Sequence, residues 1–266
     1  MRKRRAAAAA LLALVLFVVV LAGTAGSPAA APGDCGTRPT VVLVHGAWAG
    51  TSSWNGEVER LQRAGYTVRA FGNPLRGLTG DAAALAAFLG SVKGPIVLVG
   101  HSYGGAVVTN AAAGNRNVKA LVYVDAAAPA VGETTGQLSG AGSALAADPA
   151  TLYDRVDSDL YLKEAVFLRS FGPDLPRETG TVLWAGQRPA AMAAFTTKAT
   201  AAAWTSIPSW YVIGGADQII TPASQRSMAS RAHSHVTTVP GGSHLTLISH
   251  PEPVTDQIVA AAEATC

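Results

Sequence analysis

Residues 95–113 read Pro95-Ile96-Val97-Leu98-Val99-Gly100-His101-Ser102-Tyr103-Gly104-Gly105-Ala106-Val107-Val108-Thr109-Asn110-Ala111-Ala112-Ala113. The first five form a short, β-branched apolar run, the pattern of a buried strand. The stretch from Gly105 onward reads as a buried helix. Between them, Gly100-His101-Ser102-Tyr103-Gly104 fits G-x-S-x-G, which requires this strand–turn–helix context. Glycines belong there because the serine backbone is strained and neighbouring side chains clash. The pattern predicts a serine hydroxyl held above the end of a strand.

The text on either side alternates in the same way. Strands are predicted at 40–44, 66–70, 95–99 and 118–124, with helices near 54–64, 81–92 and from 103 onward. Residues 126–205 break the pattern, with helical segments at 160–169 and 189–198 but no clear buried strand. Alternation resumes with strands at 209–213 and 235–239, and helices near 223–231 and 253–263. Strands alternating with helices predict an α/β fold: about six parallel strands covered on both faces, with a helical lid inserted between strands. The domain is expected over 38–266 and the lid over about 126–205.

Composition bounds the compartment and the partners. Half the chain is hydrophobic (49%) and only 14% is charged, so one globular core is expected in 266 residues. Arg2, Lys3, Arg4 and Arg5 precede the apolar stretch 6–22 and a run of small residues, a secretory signal pattern over 1–25. Cleavage after Ala25 satisfies the small-x-small rule, with a second candidate near residue 31. Secretion is the expected localisation, with a retained N-terminal membrane anchor as the alternative. Residues 26–37 read as a flexible segment. Without residues 1–25, 16 basic side chains face 17 acidic ones. That near-neutral balance predicts no nucleic-acid binding and, once the leader is cleaved, no stable membrane association. Cys35 and Cys266 stand at the two ends of the exported chain, so a disulfide is expected. It would close nearly the whole chain, for about 5 kcal/mol at most.

A serine nucleophile needs a base, an acid to orient that base, and donors for the oxyanion. Val44-His45-Gly46-Ala47-Trp48 follows the first strand, so the amides of Ala47 and Tyr103 are the candidate oxyanion donors. Gly214-Gly215-Ala216-Asp217 follows the fifth strand and offers Asp217 as the acid; Asp125 is the rival. Pro240-Gly241-Gly242-Ser243-His244 follows the last strand, and His244 completes the order Ser…Asp…His. His250 is the fallback base; His233 and His235 fall at the wrong sheet edge, and His45 and His101 belong to the two motifs. Trp48, Tyr103, Trp184, Phe195 and Trp204 are candidates to line an apolar pocket. No cluster has metal-ligand spacing, and the glycine-rich turns lack a Walker lysine or dinucleotide fingerprint, so neither metal nor cofactor is expected.

These four parts together resemble the α/β-hydrolase family over about residues 38–265. The resemblance is closest to the compact esterase and hydroxynitrile-lyase branch with a small helical lid. It implies cleavage of small hydrophobic carboxylic esters through an acyl-enzyme on Ser102. The family's usual first two antiparallel strands have no room before Thr40, as in the compact branch. The same branch also holds lactonases, lyases and cofactor-free haloperoxidases, and the superfamily holds non-catalytic receptors. A lyase of the hydroxynitrile type needs a pocket cation, for which Lys163 and Lys198 are the lysines available.

Overall fold

The computed structural model describes residues 37–265. The leader, Cys35 and Cys266 lie outside the described residues, and so does the expected disulfide. Parallel strands β1 (Thr40–Val44), β2 (Val68–Phe71), β3 (Ile96–His101) and β4 (Val118–Val124) alternate with α1 (Asn55–Arg63), α2 (Leu78–Gly90) and α3 (Tyr103–Ala111). After the insert come β8 (Ser209–Gly214), α8 (Pro222–Arg231), β9 (His235–Val239), the short α9 (Thr246–Ser249) and α10 (Pro251–Ala264). The six strands form one sheet in the order β2-β1-β3-β4-β8-β9, every pair parallel.

Burial explains the composition of the strands. β3 and β8 are buried at every position, and β1 and β4 at all but one. Helices on both faces leave these strands no polar side, which is why they read as continuous Val/Ile/Leu runs. The edge strands β2 and β9 are partly exposed and carry Arg69, His235 and Thr237. Pairing Val44 with Gly100, and Gly100 with Tyr123, brings the strand ends to one level. The loops at those carboxyl ends are where ligands bind in open α/β sheets.

The insert differs from the sequence reading. It carries a three-stranded antiparallel sheet: β5 (Tyr153–Val156), β6 (Asp159–Leu162) and the short β7 (Ala190–Ala191). The segment expected to be helical from 160 therefore begins as a strand. Alternation decides it: Leu160 and Leu162 are buried while Asp159 and Tyr161 are not, and Asp157 takes φ 51° at the hairpin turn. Helices α4 (Pro149–Leu152), α5 (Glu164–Val166), α6 (Arg177–Ala185) and α7 (Ala193–Thr196) complete it, with a π-turn at Phe167–Phe171. Among the described residues no helix is long and apolar enough to cross a membrane.

One buried position is out of character. On α1, Glu57 and Leu61 share the inner face, and Glu57 is 0% exposed. Among the described residues no other residue donates a hydrogen bond to either carboxylate oxygen. Burial pushes this carboxyl well above its ordinary 4.5. The folded state thus keeps a proton that the unfolded chain releases. Stability is lost as pH rises above 4.5, by about 1.4 kcal/mol per pH unit until the folded value is reached. Glu57→Leu removes the penalty at similar volume. Urea melts of both proteins from pH 5 to pH 8 are expected to show a stability gap that widens with pH. A gap independent of pH would show that Glu57 is already charged in the fold.

Candidate active site

Ser102 caps α3 at φ 54°, ψ −125°, a conformation rare for a residue with a side chain. The strain persists because the surroundings admit nothing else. A Cβ on Gly100 would lie 2.7 Å from the Gly104 carbonyl oxygen, and one on Gly46 would lie 2.5 Å from Ser102 Cβ. The elbow and the loop after β1 thus meet backbone to backbone. Ser102 is 6% exposed.

Two loops deliver the partners, those after β8 and β9. His244 Nε2 lies 2.7 Å from Ser102 Oγ, and His244 Nδ1 lies 2.7 Å from Asp217 Oδ2. Asp217 also accepts from the amides of Ile219 (2.7 Å) and Ile220 (3.1 Å) at Oδ1, and from Gln225 Nε2 (2.7 Å) at Oδ2. Burial pushes the His244 imidazole down, to about 3, so the ring is neutral and able to accept a proton. Burial pushes the Asp217 carboxyl up, while its amide and Gln225 donors pull it back. Asp125 is pushed up by burial and further by the charge of Asp217. With four partners around it, Asp217 is the better home for negative charge.

Asp125 does not reach His244. At φ 46°, it accepts from the Gly214 amide (2.7 Å) and from the amide and hydroxyl of Thr246. It ties the end of β4 to the loops after β8 and β9. His250 faces Ser249 Oγ at 2.8 Å and Asp174 at 3.7 Å, away from Ser102. Asp174, on the insert, accepts from the Ser243 amide at 3.0 Å and from Ser249 Oγ at 2.7 Å.

The Ala47 and Tyr103 amides have no acceptor among the described residues. The loop that carries Ala47 is braced by His45. Its Nε2 accepts from the Asn73 amide at 3.1 Å, so Nδ1 carries the hydrogen donated to the Gly46 carbonyl at 2.9 Å. Asn73 Nδ2 donates in turn to the His45 carbonyl at 3.0 Å. Burial lowers His45 to about 4, which keeps that tautomer neutral. The sequence reading missed both braces, Asn73 and Gln225. An Asn in a loop and a Gln inside a helix carry no pattern of their own.

The aromatic candidates divide. Trp48 is buried, at φ 58°, and its Nε1 donates to the Leu160 carbonyl at 2.9 Å. Its indole stacks on Tyr153 (5.7 Å) and Phe195 (5.3 Å) and meets the edge of Phe171 (5.9 Å). Phe171, which was not singled out from sequence, lies 5.1 Å from the His244 ring. Tyr103 lies 6.3 Å from Phe195, and its hydroxyl donates to Asp81 at 2.7 Å. Trp184 and Trp204 point elsewhere, donating to the carbonyls of Leu162 and Pro129, and Arg231 lies over the Trp204 ring. Lys163 pairs with Asp154 at 3.4 Å at the surface. Among the described residues no group of three His, Cys, Asp or Glu side chains is placed to hold a metal.

Known proteins share this arrangement of chain. A carbendazim-hydrolysing esterase of Nocardioides sp. is 34% identical over 108 residues, which is 35% of this chain and 44% of that protein. The α/β-hydrolase nvfD of Aspergillus novofumigatus is 29% identical over 256 residues, 85% of this chain and 97% of its own length. The solved structure of a pyrethroid hydrolase from Sphingobium faniae superposes with a TM-score of 0.71 at 23% identity, over 86% of this chain and 98% of that one. Residues 41–257 match the model of the alpha/beta hydrolase family, and the chain belongs to that family.

Proposed function

We propose that this protein hydrolyses carboxylic esters through an acyl-enzyme on Ser102, with His244 as base and Asp217 as its orienting acid. The observation that carries the reading is the unbroken relay Ser102 Oγ–His244 Nε2 and His244 Nδ1–Asp217 Oδ2, both 2.7 Å and buried. Neutral His244 takes the hydroxyl proton as Oγ attacks the ester carbonyl carbon. The carbonyl oxygen becomes an oxyanion, received by the Ala47 and Tyr103 amides. His244, now cationic beside Asp217, returns the proton to the alcohol oxygen as the C–O bond breaks. The same base then deprotonates a water that attacks the acyl carbon, releasing the acid and restoring Ser102. The named activities of the Nocardioides and Sphingobium proteins support a hydrolytic reading. The lyase reading loses support because Lys163 is paired at the surface and Lys198 is exposed. The N-terminal pattern further supports an exported enzyme, and N-terminal sequencing of protein from culture medium tests that.

The test is hydrolysis of p-nitrophenyl esters, acetate to palmitate, by the purified protein. A p-nitrophenol burst equal to the enzyme concentration, with the acyl mass on the Ser102 peptide, is the expected result. No turnover above a Ser102→Ala control on any ester would overturn the reading. A companion variant probes the close approach at the elbow. Gly46→Ala sets a Cβ 2.5 Å from Ser102 Cβ. It is expected to lower kcat about a hundredfold while the circular dichroism spectrum is retained. An unchanged kcat would mean that the loop after β1 yields without disturbing Ser102.

A further inference from the structure

Two cavities, each about 360 Å³, flank Trp48, which lines the second and stacks on Tyr153 and Phe195 in the wall of the first. The first lies under the insert's hairpin, with Leu145, Tyr153, Leu160, Met192 and Phe195 among its walls. The second lies between the loop after β1 and the helical part of the insert, with Trp48, Phe171, Val182 and Leu245 among its walls. No residue lines both, and neither Ser102 nor His244 lines either. The indole is the boundary. Tyr153 and Phe195, from the first cavity, stack on it, and Phe171, from the second, meets its edge. Trp48 is fixed there through two carbonyls of the insert, Arg188 to its amide (3.1 Å) and Leu160 to its Nε1 (2.9 Å).

The two cavities approach the site past different neighbours, one the residue after the nucleophile and the other the base. Phe195 abuts Tyr103, the residue after the nucleophile. Phe171 abuts the ring of His244. An ester is also two-sided, and in the proposed reaction only its alcohol oxygen receives the proton from His244. The alcohol group therefore belongs on the His244 side.

We propose that Trp48 is the specificity-determining partition of the site, separating an acyl compartment (Tyr153, Leu160, Phe195) from an alcohol compartment (Phe171, Val182, Leu245). The substrate class is an ester with an apolar acyl group and an alcohol group of mixed apolar and polar surface, each sized to a cavity of about 360 Å³. This rests on the ester-hydrolase reading above. The first cavity's walls are mainly apolar, the second adds Thr51, Ser52, Ser53 and Arg188 to its apolar side chains, and each volume sits at the small end of the range for small-molecule sites.

Two partly exposed wall residues allow each compartment to be filled without disturbing the core. Met192 is 38% exposed and Val182 is 72% exposed. The full chain, Met192→Trp, Val182→Trp and Trp48→Ala are assayed on two ester series. One varies the acyl group of p-nitrophenyl esters; the other varies the alcohol of acetate esters, followed by pH-stat. Met192→Trp is expected to lower kcat/KM for the larger acyl groups about tenfold or more, with under about threefold change across the alcohol series. Val182→Trp is expected to do the reverse. Trp48→Ala is expected to flatten both preferences by merging the compartments. Parallel shifts in both series for either filling variant, or no shift in either, would overturn the partition while leaving ester hydrolysis standing. Absence of turnover by the unmodified protein on every ester would instead overturn the functional reading and the partition with it.

Discussion

Ser102→Ala and His244→Ala are each expected to lower kcat on a reactive ester about a million-fold, and the double variant no further. The reason is geometric. Oγ and Nε2 are 2.7 Å apart and act as one unit, so either loss removes the same step. What is expected to survive is stabilisation by the proposed oxyanion donors, the Ala47 and Tyr103 amides, which neither substitution touches. Stopped-flow or long-time assays of the two single variants and the double would check this, with thermal melts confirming that all three fold. Losses that multiply in the double variant would mean that the two side chains act in separate steps. A loss of only a few fold at Ser102 would remove it as the nucleophile.

The second large effect separates two buried carboxylates. Asp217→Asn is expected to lower kcat about ten-thousandfold, because an amide at that position no longer fixes the Nδ1–H tautomer or balances the imidazolium. Asp125→Asn is expected to leave kcat within about tenfold but to cost about 1–3 kcal/mol of stability. Its two oxygens satisfy the Gly214 amide and both donors of Thr246, and an NH2 group cannot accept from them. Kinetics and urea melts on the same preparations read both quantities. A large kcat loss at Asp125 with little change at Asp217 would exchange their roles.

Those two aspartates also show how far the sequence alone reaches. Each follows a strand at the same sheet edge, so position along the chain places both within range of the site. Only the φ of 46° at Asp125 and its bonds to Gly214 and Thr246 turn it away from His244. The four inner strands were legible because burial on both faces leaves long apolar runs with no competing pattern, and the partly exposed β2 and β9 from their place in the alternation of strands and helices. The insert was not: β5 and β6 are only four residues long each, and the two-residue β7 is held by a partner about thirty residues away. Trp184 and Trp204 read as pocket candidates by composition, yet an indole N–H finds whichever carbonyl the fold brings near. Gln225 and Asn73 became visible only with their partners, since each acts by steadying another side chain.

Asp174 links the insert to the loop of the base through the Ser243 amide, one residue before His244. On the opposite flank, Ser143 Oγ donates to the Ile219 carbonyl, and the Ala144 amide to that of Gln218, both at 2.7 Å, beside the acid. The insert is thereby fastened at two sides to the chain segments that hold His244 and Asp217. Swinging it away as a door is expected to pull on both segments. With Trp48 held by its two hydrogen bonds, traffic to Ser102 is then expected to depend on side-chain motion of rings such as Phe171, beside His244. Side-chain motion of that kind is faster and smaller than hinge motion.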